Sequence, residues 1–191
     1  MIVSLLFACV EQPDTSHYSY PQSFQNESLQ CGDVVATHNN VNVYSNGMGI
    51  NSCAEGRHMS EDNYSYGLRW QCVEFVRRYY KDHLNHKMPV RWGHAKDYFA
   101  EDIGHGKRNP DRDLLQYRNG RSEKPKADDL LVCPNMALGY GHVAIIKAVG
   151  GDYVELIQQN TRYAIEKKKL YQTNGNWTIE GGCAGFLRKE G

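Results

Sequence analysis

Apolar and polar positions fall into two textures along the chain. Between Trp70 and Lys81, Cys72, Phe75, Val76 and Tyr79 recur at i, i+3, i+4 and i+7, which predicts a helix with those four side chains on one face. Glu74, Arg77, Arg78 and Lys81 fill the remainder, and the pattern decays through His83–His86 before Pro89. A second helix is expected over 95–103, where Ala95, Tyr98, Phe99 and Ile103 share a face and Gly93 and Gly104 punctuate the ends. From Asp129 the texture changes to strand: 130–133, then 142–146, a Gly150-Gly151-Asp152 turn, and 153–157, the last two read as a hairpin. Segments 163–170, 177–179 and 185–188 extend the strand series. Upstream, 32–36 and 41–44 are short extended pieces, 45–67 reads as a long surface loop, and 104–126 as polar and turn-rich. Helices first and strands second predict an α+β fold, N-terminal helices packed on an antiparallel sheet.

At 191 residues the chain fits one domain. The expected division is a leader over 1–30 and a folded domain over 31–191. Residues 1–9 are apolar and end Leu6-Phe7-Ala8-Cys9, like the end of a bacterial lipoprotein signal, although no Lys or Arg precedes them. Residues 10–30 are polar and aperiodic, as a tether would be. Export with a lipid anchor at Cys9 is the expectation; a cytoplasmic protein is the alternative. Lys plus Arg equals Asp plus Glu at 22 each, so no overall field favours nucleic acid, and a monomer acting on a peptide or amide substrate is expected. The six cysteines contain no CxxC pair, which argues against a zinc ribbon, and no metal or cofactor is expected. In an exported chain Cys31 with Cys53, or Cys133 with Cys183, are candidate bridges, and spacing alone does not fix the pairing.

Cysteine chemistry needs thiolate, and the exposed N–H groups and dipole at a helix N-terminus favour it. Cys72 occupies the first turn of its helix. Seven of the eight histidines fall in the leader, in loops or at polar helix ends; His142 instead opens an apolar strand after Gly139-Tyr140-Gly141, where small residues permit close approach. A helix-start cysteine followed about seventy residues later by a strand histidine repeats the papain order of nucleophile and base.

Three stretches carry a resemblance to a known family: residues 66–78 around Trp70-Gln71-Cys72, residues 92–99 (Trp92-Gly93-His94-Ala95-Lys96-Asp97-Tyr98-Phe99), and 141–146 (Gly141-His142-Val143-Ala144-Ile145-Ile146), closed by Gln159-Asn160. They resemble CHAP domains (cysteine, histidine-dependent amidohydrolase/peptidase), and among these the amidase domain of the glutathionylspermidine synthetase/amidase family. The resemblance spans roughly Gly32 to the C-terminus. It implies a papain-like fold and metal-free hydrolysis of amides, often in peptidoglycan peptides, with Cys72 as nucleophile and His142 as base. In those amidases an acid stands immediately before Gln-Asn; here Gln158 occupies that place. An amide fixes an imidazole tautomer but cannot stabilise imidazolium as a carboxylate does. Gln158 and Asn160 share a face of a regular strand, so either could orient His142. For the oxyanion or substrate the nearby candidates are the Cys72 N–H with Gln71, Tyr64 or Tyr66.

The predicted function is a cysteine-dependent amide hydrolase acting through Cys72 and His142. The substrate expected of an exported chain is peptidoglycan peptide; the alternatives are a glutathionylspermidine-type amidase or a catalytically silent CHAP module binding peptide or glycan.

Overall fold

The computed structural model describes residues 29–47, 53 and 56–190. Cys9 and most of the expected leader lie outside the described residues.

Two small hairpins precede the helix. β1 (Val34–His38) pairs antiparallel with β2 (Val41–Tyr44), and β3 (Arg57–Met59) with β4 (Ser65–Leu68). The helix α1 (Cys72–Asp82) follows. Eight further strands follow: β5 (Lys107–Asn109), β6 (Leu114–Arg118), β7 (Leu130–Cys133), β8 (His142–Val149), β9 (Tyr153–Ile157), β10 (Ile165–Thr173), β11 (Asn176–Ile179) and β12 (Gly185–Arg188). These eight form one antiparallel sheet in the order β11-β10-β9-β8-β7-β12-β6-β5. After β11 the chain returns to insert β12 between β7 and β6. The sheet curls on itself, because Arg121, just beyond β6, bridges to Trp177 on β11.

Alternation along the central strands sends side chains to two separate cores. Leu130, Val132, Val143, Ile145, Ile157 and Leu187 face α1, packing on Phe75, Val76, Tyr79 and Tyr80. Leu131, Ala144, Ile146, Leu156, Leu170, Ile179 and Phe186 fill the concave interior of the curl. Strands buried on both faces read as continuous apolar runs, which is how β7 and β8 looked in the sequence.

The fold class expected from sequence is corrected here. The chain is β-rich, 38% strand against 12% helical, with α1 the one α-helix among the described residues, rather than N-terminal helices laid on a sheet. The expected helix over 95–103 stops after a single 3-10 turn, Ala95–Tyr98. Asp97 caps that turn by accepting the His94 N–H, and Phe99 is already extended at φ −112°, ψ 121°. The buried Gln116 then takes over what helical bonding would have done: its Oε1 accepts the Ala100 N–H, and its Nε2 donates to the carbonyls of Ala100 and Ile103. Backbone groups satisfied by a side chain have no need of further helix. The stretches read as a long loop and as a polar linker likewise hold β3 with β4, and β5 with β6.

Both candidate bridges are present, Cys31–Cys53 and Cys133–Cys183. Among the described residues Cys72 is the cysteine left unbridged, and no helix is long and apolar enough to cross a membrane.

Candidate active site

α1 begins at Cys72. Gln71 before it is extended (φ −81°, ψ 158°), so the chain enters the helix abruptly and Cys72 sits in the first turn, buried at 8% exposure. Burial pushes the thiol above its ordinary value. The backbone amides of Val143, of Val73 and of Cys72 itself favour the thiolate and work against that rise. Val143 is the residue after His142, so one of those amides comes from the strand that carries the imidazole. The small residue before His142 has a steric purpose. Gly141 adopts φ +81°, and a Cβ there would lie 2.5 Å from the Lys96 nitrogen, so the 3-10 turn packs directly on the backbone leading into His142.

The imidazole is oriented from β9. His142 Nε2 lies 3.0 Å from Gln158 Oε1. Gln158 Nε2 meanwhile donates to the Tyr163 carbonyl at 3.1 Å and to Glu166 Oε2 at 2.9 Å. Those two oxygens only accept, which forces the NH2 toward them and the carbonyl oxygen toward the ring. His142 must therefore carry its proton on Nε2, leaving the Nδ1 lone pair as the basic site of the neutral ring. Burial lowers the His142 pKa, against the opposing effects of the Gln158 hydrogen bond and the Glu166 charge.

Three successive amides at the end of β9 take three different partners. Gln158 holds His142. Gln159 donates to the Gln71 carbonyl (3.0 Å) and to Glu74 Oε2 (2.7 Å), while its own oxygen accepts the Tyr44 N–H (2.8 Å). Asn160 does not reach the imidazole: its Nδ2 donates to Gln71 Oε1 at 2.8 Å and its Oδ1 accepts from Asn46 at 2.7 Å. Gln71 is thus brought to the site as the residue fixed just ahead of the thiol. Tyr66 is not; its hydroxyl donates to Asp82 at the far end of α1, and burial together with Asp82 pushes it up to about 12. Tyr64 is likewise committed elsewhere, accepting the Met88 N–H.

Sequence reading missed the polar network beneath the helix. Glu74, fully buried, receives His58 Nδ1 at 2.8 Å, Arg78 through two nitrogens at 2.6 and 3.2 Å, and Gln159. Burial alone would raise its pKa, but those hydrogen bonds and the Arg78 charge hold it below the ordinary range. Among the described residues no group of three or more His, Cys, Asp or Glu side chains is arranged to hold a metal ion.

A family model, the CHAP domain, matches residues 61–160, just over half of the chain and the stretch that runs from the α1 approach to the triple amide. The chain belongs to the CHAP domain family. Its function is accordingly of the cysteine/histidine amidase type. This CHAP domain is also 31% identical, over 132 residues, to the trypanothione synthetase of Crithidia fasciculata; the match covers 65% of the chain and 20% of that protein. The chain thus spans about a fifth of the length of that relative.

Proposed function

We propose that this CHAP domain hydrolyses a peptide amide through a thioester, with Cys72 as nucleophile, His142 as general base and Gln158 as the residue that orients the ring. The observation that carries this reading is the forced tautomer: an imidazole with its Nε2–H bound to Gln158 and its basic Nδ1 available, on the strand whose next amide, Val143, favours the Cys72 thiolate. Nδ1 takes the thiol proton as the sulfur attacks the carbonyl carbon. The tetrahedral intermediate collapses, the C–N bond breaks, and the amine leaves with the proton from the imidazolium. Water, deprotonated by His142, then attacks the thioester; the acid departs and the thiol is restored. The backbone N–H of Cys72, at the start of α1, is the proposed oxyanion donor.

The substrate class we favour is the peptide of peptidoglycan. Two disulfides suit an oxidising compartment, which supports export and an envelope location, with Cys9 as the proposed lipid anchor. The similarity to trypanothione synthetase supports a second reading, in which the scissile amide joins a peptide to a polyamine. Mass analysis of purified peptidoglycan and of a glutathione–polyamine conjugate, each incubated with wild type and Cys72→Ala, separates the two. Fragments released by wild type alone from the first substrate support the favoured reading, and from the second its rival. Identical products from wild type and mutant on both sink the hydrolase.

A further inference from the structure

The amide that orients His142 is itself held from behind. Glu166, on β10 opposite Leu156, accepts Gln158 Nε2 on Oε2, while its Oε1 takes Lys168 Nζ at 3.2 Å. Lys168 in turn lies against Gly181, where a Cβ would come within 3.1 Å of its nitrogen. Gln158 is 2% exposed, so the link from ring to carboxylate runs through a desolvated side chain. The charged groups acting on His142 are Glu166 and Lys168, both on β10, with the neutral Gln158 between ring and acid. Glu166 and Lys168 both lie beyond residues 61–160, the stretch that matches the family model.

We propose that Glu166 is a positioning residue that acts on His142 through Gln158, locking the amide's orientation and supplying from one side chain away the negative charge that an acid at position 158 would supply directly. Lys168 is its counterweight, tempering that charge. The negative carboxylate raises the proton affinity of the ring and the ammonium lowers it, which agrees with the directions in which each acts on His142. The inference rests on the reading of Cys72 and His142 as a working pair.

The test needs no substrate: the rate of iodoacetamide alkylation at Cys72, followed by mass spectrometry of its peptide from acid to alkaline pH. Wild type should rise as His142 loses its proton and then hold a plateau. Glu166→Gln keeps the shape and removes the charge; its rise should move to lower pH by about half a unit to one unit, with a plateau roughly three- to tenfold lower. Lys168→Gln, which leaves the partners of Gln158 in place, should shift both the other way, and it gives the sign independently should Glu166→Gln fail to fold. Adding Gln158→Glu to Glu166→Gln should restore the wild-type position. Profiles of Glu166→Gln and Lys168→Gln that superimpose on wild type overturn the proposal. A wild-type profile identical to that of His142→Ala overturns the thiol–imidazole pair itself, whatever Glu166 does.

Discussion

Burial acts on Cys72 and His142 in opposite directions, raising the thiol and lowering the imidazole. Both shifts disfavour a standing thiolate–imidazolium pair, so in the proposed mechanism the proton moves as the sulfur attacks. The sign follows for pH dependence. Protonated His142 cannot act as base, and its pKa is depressed below 6.5, so kcat/KM should rise along an acid limb centred below pH 6.5. A pH–rate profile with its acid limb at or above that value would contradict this. The places of Cys72 and His142 were legible in the sequence because a helix start and a strand start each leave a local signature. The choice between Gln158 and Asn160 was not, because period-two geometry puts both on one face only while the strand continues. β9 ends at Ile157 and Asn160 adopts φ 61°, so its amide swings away to Gln71.

At the scale of elements, the periodicity of α1 identified its core face and misread the other. Glu74, Arg77 and Arg78 are buried, although their charges mark a solvated surface in an ordinary amphipathic helix. Part of the cover comes from β2 and Gln159, which are distant in sequence, so no local pattern announces it. Removing Glu74 would leave Arg78 buried without its carboxylate. Glu74→Ala should therefore cost about 3–5 kcal/mol in denaturant unfolding, with Glu74→Gln costing less. Gly141 belongs to the same scale, as the contact between a 3-10 turn and β8. Gly141→Ala faces both a left-handed backbone and the Lys96 nitrogen; a loss of about 2 kcal/mol or more is expected, with slower alkylation of Cys72 as His142 is displaced. Thermal melts that leave Gly141→Ala level with wild type would refute the contact.

For the whole molecule, β7, β8 and β9 were readable from their apolar positions, whereas β6 was hidden. Gln116 is the reason: it points inward on β6 where alternation requires an apolar residue, so a half-buried strand looks like linker. The same side chain satisfies the backbone at 100–103, so one buried amide bears on two of the misread stretches. Gln116→Leu would take the acceptor from the Ala100 N–H and one donor each from the Ala100 and Ile103 carbonyls, which keep the Ile103 N–H and Arg118; unfolding stability should drop by about 1–3 kcal/mol, with faster amide exchange at Ala100. Unchanged exchange there would remove Gln116 from that role. The triple amide at the end of β9 bears on how such a chain tolerates insertion and deletion. Gly150–Asp152 is an exposed turn where an extra residue can be absorbed. One residue lost between Ile157 and Asn160 would move each amide into its neighbour's place, and thiol, base and helix entry would lose their alignment in a single event.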